Sequence, residues 1–201
     1  LDETTTIRPV APTAGDQLID LADDVIVTGL DRRRAPAPDI SALHPDLHQR
    51  LGAFVTLTVR GDLNGCIGSI EGEETLGAAV ARHAWSAAFA DPRLPPLRRS
   101  DYPQLEIEVS VLSPLSPLPA QSLDALLGVL RPGIDGLLIG AGTRRAVFLP
   151  SVWEQLPSAD RFVEHLFRKA GLAPDVWPRD LRAHRFSAQK IRRAHPGSEM
   201  G

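Results

Sequence analysis

The sequence predicts an α+β fold: a two-lobed single unit with an antiparallel-rich mixed sheet and flanking helices. Three observations predict it. Two runs alternate apolar and polar residues with period two, at 53–59 and 105–112. Two segments, around Gly61-Asp62 and 141–143, read as hairpin turns between β-rich sequence. Three amphipathic stretches have helical spacing but do not alternate regularly with the strands, which argues against a parallel βαβ sheet. A chain of 201 residues buries one full core. With 43% hydrophobic but only 5% aromatic residues, that core is built from Leu, Val, Ile and Ala.

From 16 to 28, Leu18, Leu21, Ala22, Val25 and Ile26 keep helical spacing, with Asp16 placed to cap and Gly29 to stop. Three prolines then make 31–52 a connecting loop with at most one helical turn. AFVTLTV alternates, Gly61-Asp62 suits a two-residue turn, and LNGCIGSI forms the second arm of a hairpin. Gly65 and Gly68 in that arm signal a bulge or a close backbone approach. An alanine-rich helix follows over 75–90 and ends at Asp91-Pro92. In LEIEVSVL, Leu105, Ile107, Val109 and Val111 share one face, and Glu106, Glu108 and Ser110 the other. Prolines 114, 117 and 119 break the chain before a short helix near 123–130. The segment 135–149 reads as a second hairpin, and Ser151 to Glu154 as a capping box. A helix over 159–170 stops at Gly171, before a strand near 183–187. The folded domain is expected over 14–190, with 1–13 and 191–201 as flexible tails.

Composition excludes several classes. Cys66 is the only cysteine, so no internal disulfide forms, and no apolar run is long enough to cross a bilayer. These features point to a cytoplasmic protein. The formal charge of -3 argues against nucleic acid as the main partner, and pairs such as Arg98-Arg99 read as loop solubility. His44 and His48 have i, i+4 spacing without further ligands, so no metal is expected and no cofactor is implied. A phosphate loop, H-E-x-x-H and G-x-S-x-G are all absent from the sequence.

Seven blocks in order carry a resemblance: FVTLTV with LNGCIGS, AAFADPRLPPL, LEIEVSVLSPL, LRPGIDGLLI, FLPSVWEQLP and HLFRKAGL. Together they resemble the AMMECR domain family, called protein A of the AmmeMemoRadiSam system in prokaryotes. The likeness runs over nearly the whole chain. It implies a two-lobed α+β fold and association with two partners, a Memo-type dioxygenase-like protein and a radical S-adenosylmethionine protein. It implies no reaction. Where the family usually has Arg before G-C-I-G, this sequence has Asn64, which removes a guanidinium from that position.

Two readings of the candidate site stand. In one, the domain is an accessory or binding protein that presents the strand with Asn64, Gly65 and Gly68, together with Arg93 and Glu106, to a ligand or partner. In the other, it is an enzyme with Cys66 as nucleophile, Glu108 or Glu106 as acid or base, and Arg93 stabilising an anion. Each residue also has a plainer role. Cys66 suits a small buried hydrophobe, Glu106 and Glu108 the wet side of a strand, and His83 a hydrogen-bonded core histidine. His165 and Lys169, one turn apart, suit a solvated helix face.

Overall fold

The structure, a computed structural model, describes residues 10–32, 35 and 39–195. In chain order its elements are α1 (Pro12–Arg32), β1 (Ala53–Val59), β2 (Asp62–Ser69), α2 (Leu76–Phe89), β3 (Leu105–Leu112), β4 (Ser116–Leu118), α3 (Leu123–Val129), β5 (Gly136–Ala141), β6 (Arg144–Phe148), α4 (Ala159–Lys169), β7 (Arg182–Phe186) and β8 (Ala188–Ala194). Short 3-10 turns lie at Pro45–His48, Tyr102–Gln104 and Pro150–Glu154. The α+β class stands. The chain divides into two compact units, and each has its own four-stranded sheet instead of sharing one.

The first unit holds the described residues up to Leu112 and those from Gln189 onward, and its strand order is β2-β1-β3-β8. β1 pairs antiparallel with both β2 and β3, so the hairpin that carries Cys66 lies directly beside 105–112, as its half-apolar pattern requires. Val55, Leu57, Ile107 and Val109 are buried completely on one face, against Leu18, Ala22, Ile26, Val80 and Ala84 of α1 and α2. Each such aliphatic side chain contributes about 1.5–3 kcal/mol of transfer free energy. That burial holds the sheet and helices together.

The second unit, Ser113–Ala188, has the strand order β4-β7-β5-β6 and antiparallel pairing throughout. Its core is more aromatic than the composition suggests, with Trp153 stacked on Phe162 at 3.8 Å between ring centroids. Asp135 is fully buried there, and is neutralised by Arg131, whose guanidinium and backbone N–H all donate to its carboxylate. Trp153 Nε1 donates to the Asp135 carbonyl at 2.7 Å, which ties the aromatic stack to that ion pair.

Five expectations need correction. α1 begins at Pro12, where a missing N–H costs nothing, and runs through Gly29 to Arg32. Gly29 is a contact point instead of a stop, since a Cβ there would lie 2.2 Å from the Phe89 ring and 2.7 Å from that of Trp85. The hairpin turn is Arg60-Gly61, one residue earlier than expected. Val59 pairs with Asp62, and both turn residues have positive φ, 56° and 83°, as a type I′ turn demands. Ser151 caps nothing, because the 3-10 turn begins from Leu149 with no side-chain cap. The segment 116–118, with Pro117 at its centre, nevertheless pairs as β4, and β8 carries ordered strand through Ala194, past the tail boundary expected at 190. Of the expected tails, residues 1–9 and 196–201 lie outside the described residues.

α4 ends as anticipated, with Gly171 at φ 71° and Leu172 N–H returning to the Phe167 carbonyl. Gly29→Ala is expected to destabilise the protein by about 1–3 kcal/mol through overpacking against Phe89 and Trp85. Gly128→Ala, at an exposed α3 position with open space around the added methyl, is expected to stabilise by up to about 1 kcal/mol. Urea denaturation of the two variants measures both signs.

Candidate functional site

β2 is an edge strand, so alternate backbone groups turn away from β1 and need partners. At Cys66 two side chains supply them. The Cys66 N–H donates to Asp91 Oδ2 at 3.0 Å, and Arg93 Nη2 donates to the Cys66 carbonyl at 2.6 Å. Asp91 and Arg93 are bound to each other, with Arg93 Nε on Oδ1 at 2.9 Å and Nη2 on Oδ2 at 2.7 Å. The Arg93 backbone N–H also reaches Oδ1, closing an Asx turn over Pro92. The D-P-R loop after α2 thus stands in for a neighbouring strand at a single residue.

The Asp91 side chain is 1% exposed, whereas that of Arg93 is 60% exposed. Hydrogen bonds from Arg93 and from the Cys66 N–H hold the Asp91 carboxyl far below the usual carboxylate range, and the same pairing raises Arg93. Asp91 was not among the residues singled out from the sequence. The signal was present as an acid two residues before Arg93 at a helix end, but only folding brings that pair to β2.

Because the Cys66 backbone groups turn outward, Thr56 and Cys66 form the closer kind of antiparallel pair, without mutual ladder bonds. Thr56 Oγ1 lies 3.4 Å from Cys66 Sγ, in hydrogen-bond contact with the half-buried thiol. Thr56 faces Glu108 on its other side, so Cys66, Thr56 and Glu108 form one row across three strands, on the face opposite Val55 and Leu57. Arg192 of β8 extends the row by donating from Nε to Glu108 Oε2 at 2.5 Å, and Ser110 donates to Oε1 at 3.1 Å. Glu106 lies beside this row, opposite Thr58, and is half-buried.

The structure therefore brings Arg93 to the backbone of Cys66, while Glu108 sits two strands away, about 9.5 Å in strand spacing. Gly65 and Gly68 have structural neighbours of their own. A Cβ on Gly65 would stand 2.0 Å from the Ala87 carbonyl oxygen, and one on Gly68 would stand 2.3 Å from the Phe54 ring. The first glycine lets α2 lie on β2, and the second makes room for Phe54. Asn64 Nδ2 reaches the Pro95 carbonyl at 3.4 Å, and its Oδ1 is buried without a partner among the described residues.

The histidines singled out in the sequence lie outside this row. His44 Nδ1 accepts from the Asp46 N–H and His48 Nε2 faces the Leu43 carbonyl. Among the described residues no group of three potential ligands could hold a metal. His165 is exposed, and Lys169 donates to the Val147 carbonyl beside the Phe148 ring. His83 is buried, with Nε2 3.4 Å from Ser69 Oγ and Nδ1 without a partner among the described residues. Burial, reinforced by Arg82, pushes its pKa down to about 4.

Two four-stranded units, with the edge strand of one closed by an acid–arginine loop at a G-C-I-G segment, define the chain as an α+β protein. The chain belongs to the AMMECR1 family, whose profile matches residues 19–191. A protein of Methanothermobacter thermautotrophicus is 40% identical over 152 residues, covering 72% of this chain and 77% of that protein. One from Methanosarcina mazei is 32% identical over 192 residues, covering 94% and 96%. The crystal structure of an uncharacterized protein from Pyrococcus horikoshii superposes with a TM-score of 0.81 at 29% identity, covering 91% of this chain and 93% of that one. No helix among the described residues is long and apolar enough to cross a membrane.

Asp91→Asn is expected to cost roughly 2–3 kcal/mol, because it removes a buried charge whose donors remain in place. Since the folded state lowers this pKa, the wild-type advantage is full above about pH 4 and closes as acid protonates the native carboxyl. Denaturation of both proteins across pH 2–7 measures that gap. His83 acts in a different window. Between its unfolded value near 6.5 and its folded value of about 4, the unfolded chain takes up a proton that the native state refuses. Stability falls on acidification there with a slope of up to about 1.4 kcal/mol per pH unit, and His83→Gln is expected to flatten it.

Proposed function

We propose that this chain is a non-catalytic binding module that works in the cytoplasm with a Memo-type dioxygenase-like protein and a radical S-adenosylmethionine protein, the partners implied by its family resemblance. One observation carries the non-catalytic part: the Asp91–Arg93 pair at Cys66, and Glu108 further along the row, are engaged in holding the sheet. Asp91 and Arg93 are bound to each other and to the Cys66 backbone, and Glu108 is held by Arg192 and Ser110. The thiol itself meets a threonine hydroxyl, which is no general base, and the Arg93 guanidinium that also interacts with it is already bound to Asp91 and to the Cys66 carbonyl. A nucleophilic cysteine needs a base or a cation committed to its sulfur.

The row Cys66, Thr56, Glu108 and Arg192 instead offers a partner a pre-ordered polar stripe, with donors and acceptors fixed across four strands. Such a stripe favours specificity, because a docking surface loses little side-chain freedom when its polar groups are already held. On this reading Cys66→Ala keeps affinity for either partner within about twofold, while Glu108→Gln combined with Arg192→Ala weakens it about tenfold or more. Calorimetric titration of each purified partner, with thermal melts of every variant, makes the measurement. The binding-module reading fails if the protein alone converts a substrate and Cys66→Ser loses that turnover while melting normally.

A further inference from the structure

The Arg98-Arg99 pair, which reads in the sequence as loop solubility, borders a recess of about 650 Å³ within the first unit, away from the Cys66 row. That volume is in the range of small-molecule sites. Its apolar wall is a pair of rings on α2, Trp85 and Phe89, with centroids 4.7 Å apart and both half-buried. Leu30 of α1 and buried Leu97 complete the apolar lining. The loop that closes the recess is anchored, since Leu97 N–H donates to the Ala88 carbonyl at 2.7 Å and Arg98 N–H to Asp101.

The two arginines differ. Arg99 is neutralised by an ion pair with Asp31. Arg98 is exposed at the recess, and among the described residues its guanidinium has neither an ion-pair nor a hydrogen-bond partner. An open aromatic wall with one uncompensated guanidinium beside it matches a ligand with a planar apolar body and an anionic group. The rings bury the body, and the guanidinium takes a carboxylate or phosphate in bidentate fashion. We infer that this recess is a binding site for a small aromatic anion, with Trp85 and Phe89 holding the ring and Arg98 holding the charge.

A matched pair of probes tests this: 1-naphthoate and its neutral counterpart 1-naphthamide, titrated into the full chain by calorimetry. Naphthoate is expected to bind one to one and about fivefold to tenfold more tightly than the amide, the range for a partly exposed charge-assisted contact. Arg98→Ala is expected to erase that difference, whereas Arg182→Ala, an arginine of β7 in the other unit, should leave it intact. Binding is also followed in the three tryptophan indole N–H resonances, of which only that of Trp85, assigned through Trp85→Phe, is expected to shift. Equal affinity for the two probes, a preference that survives Arg98→Ala, or a shift centred on Trp153 or Trp177 would overturn the assignment. Arg98 is exposed, so its loss leaves the fold intact and the comparison interpretable even if ring-wall variants melt early.

Discussion

The carboxylate of Asp91 is the point on which the first unit's sheet is closed. β2 would otherwise present an open edge at a segment weakened by two glycines, and an open edge is both unsatisfied and prone to foreign pairing. One buried carboxylate accepts from the Cys66 N–H and from three positions of Arg93, its backbone N–H, Nε and Nη2, and Arg93 returns a donor to the Cys66 carbonyl. The burial is tolerated because every lone pair is matched by a donor and the charge by a guanidinium. Fastening β2 in this way fixes the register that sets Cys66 opposite Thr56, and hence the polar row across to Arg192.

That arrangement changes what the G-C-I-G segment is for. Bracketing glycines would open a thiol to a ligand if the space beside them were empty. Here the Ala87 carbonyl and the Phe54 ring occupy it. The glycines let a helix and an aromatic side chain approach β2, and the cysteine fits as a small, weakly polar side chain between them. The binding-module reading proposed above rests on this, since it places recognition on the surface around the sulfur, where fixed polar groups suit docking better than proton transfer. The same economy appears in the second unit, where Arg131 neutralises buried Asp135 and Trp153 seals that pair beneath an aromatic stack.

Much of this was readable from residue order. The alternation in AFVTLTV and LEIEVSVL, together with the alanine spacing of α2, placed β1, β3 and α2 to within a residue, because period two and period 3.6 report directly which side chains are buried. Gly171 marked its helix end because a left-handed residue is needed there. Gly29 misled for the complementary reason: a helical glycine that admits two aromatic rings looks, in sequence, the same as one that stops a helix. β4 and β8 escaped notice because short, proline-bearing or charged strands are stabilised by the strands beside them and not by their own pattern.

For the site, the sequence by itself determined the residue types, the strand that carries Cys66, and the shared face of Glu106, Glu108 and Ser110, since all of these follow from local geometry. Only the tertiary structure decided which groups meet. It paired Asp91 with the Cys66 backbone across 25 positions and Arg192 with Glu108 across 84, and among the described residues it left Arg98 unpaired while Arg99 found Asp31. Contacts at such separations depend on how strands and loops stack in three dimensions, and hydrogen bonds and ion pairs form or fail over about 3 Å, a distance no periodicity in the chain encodes.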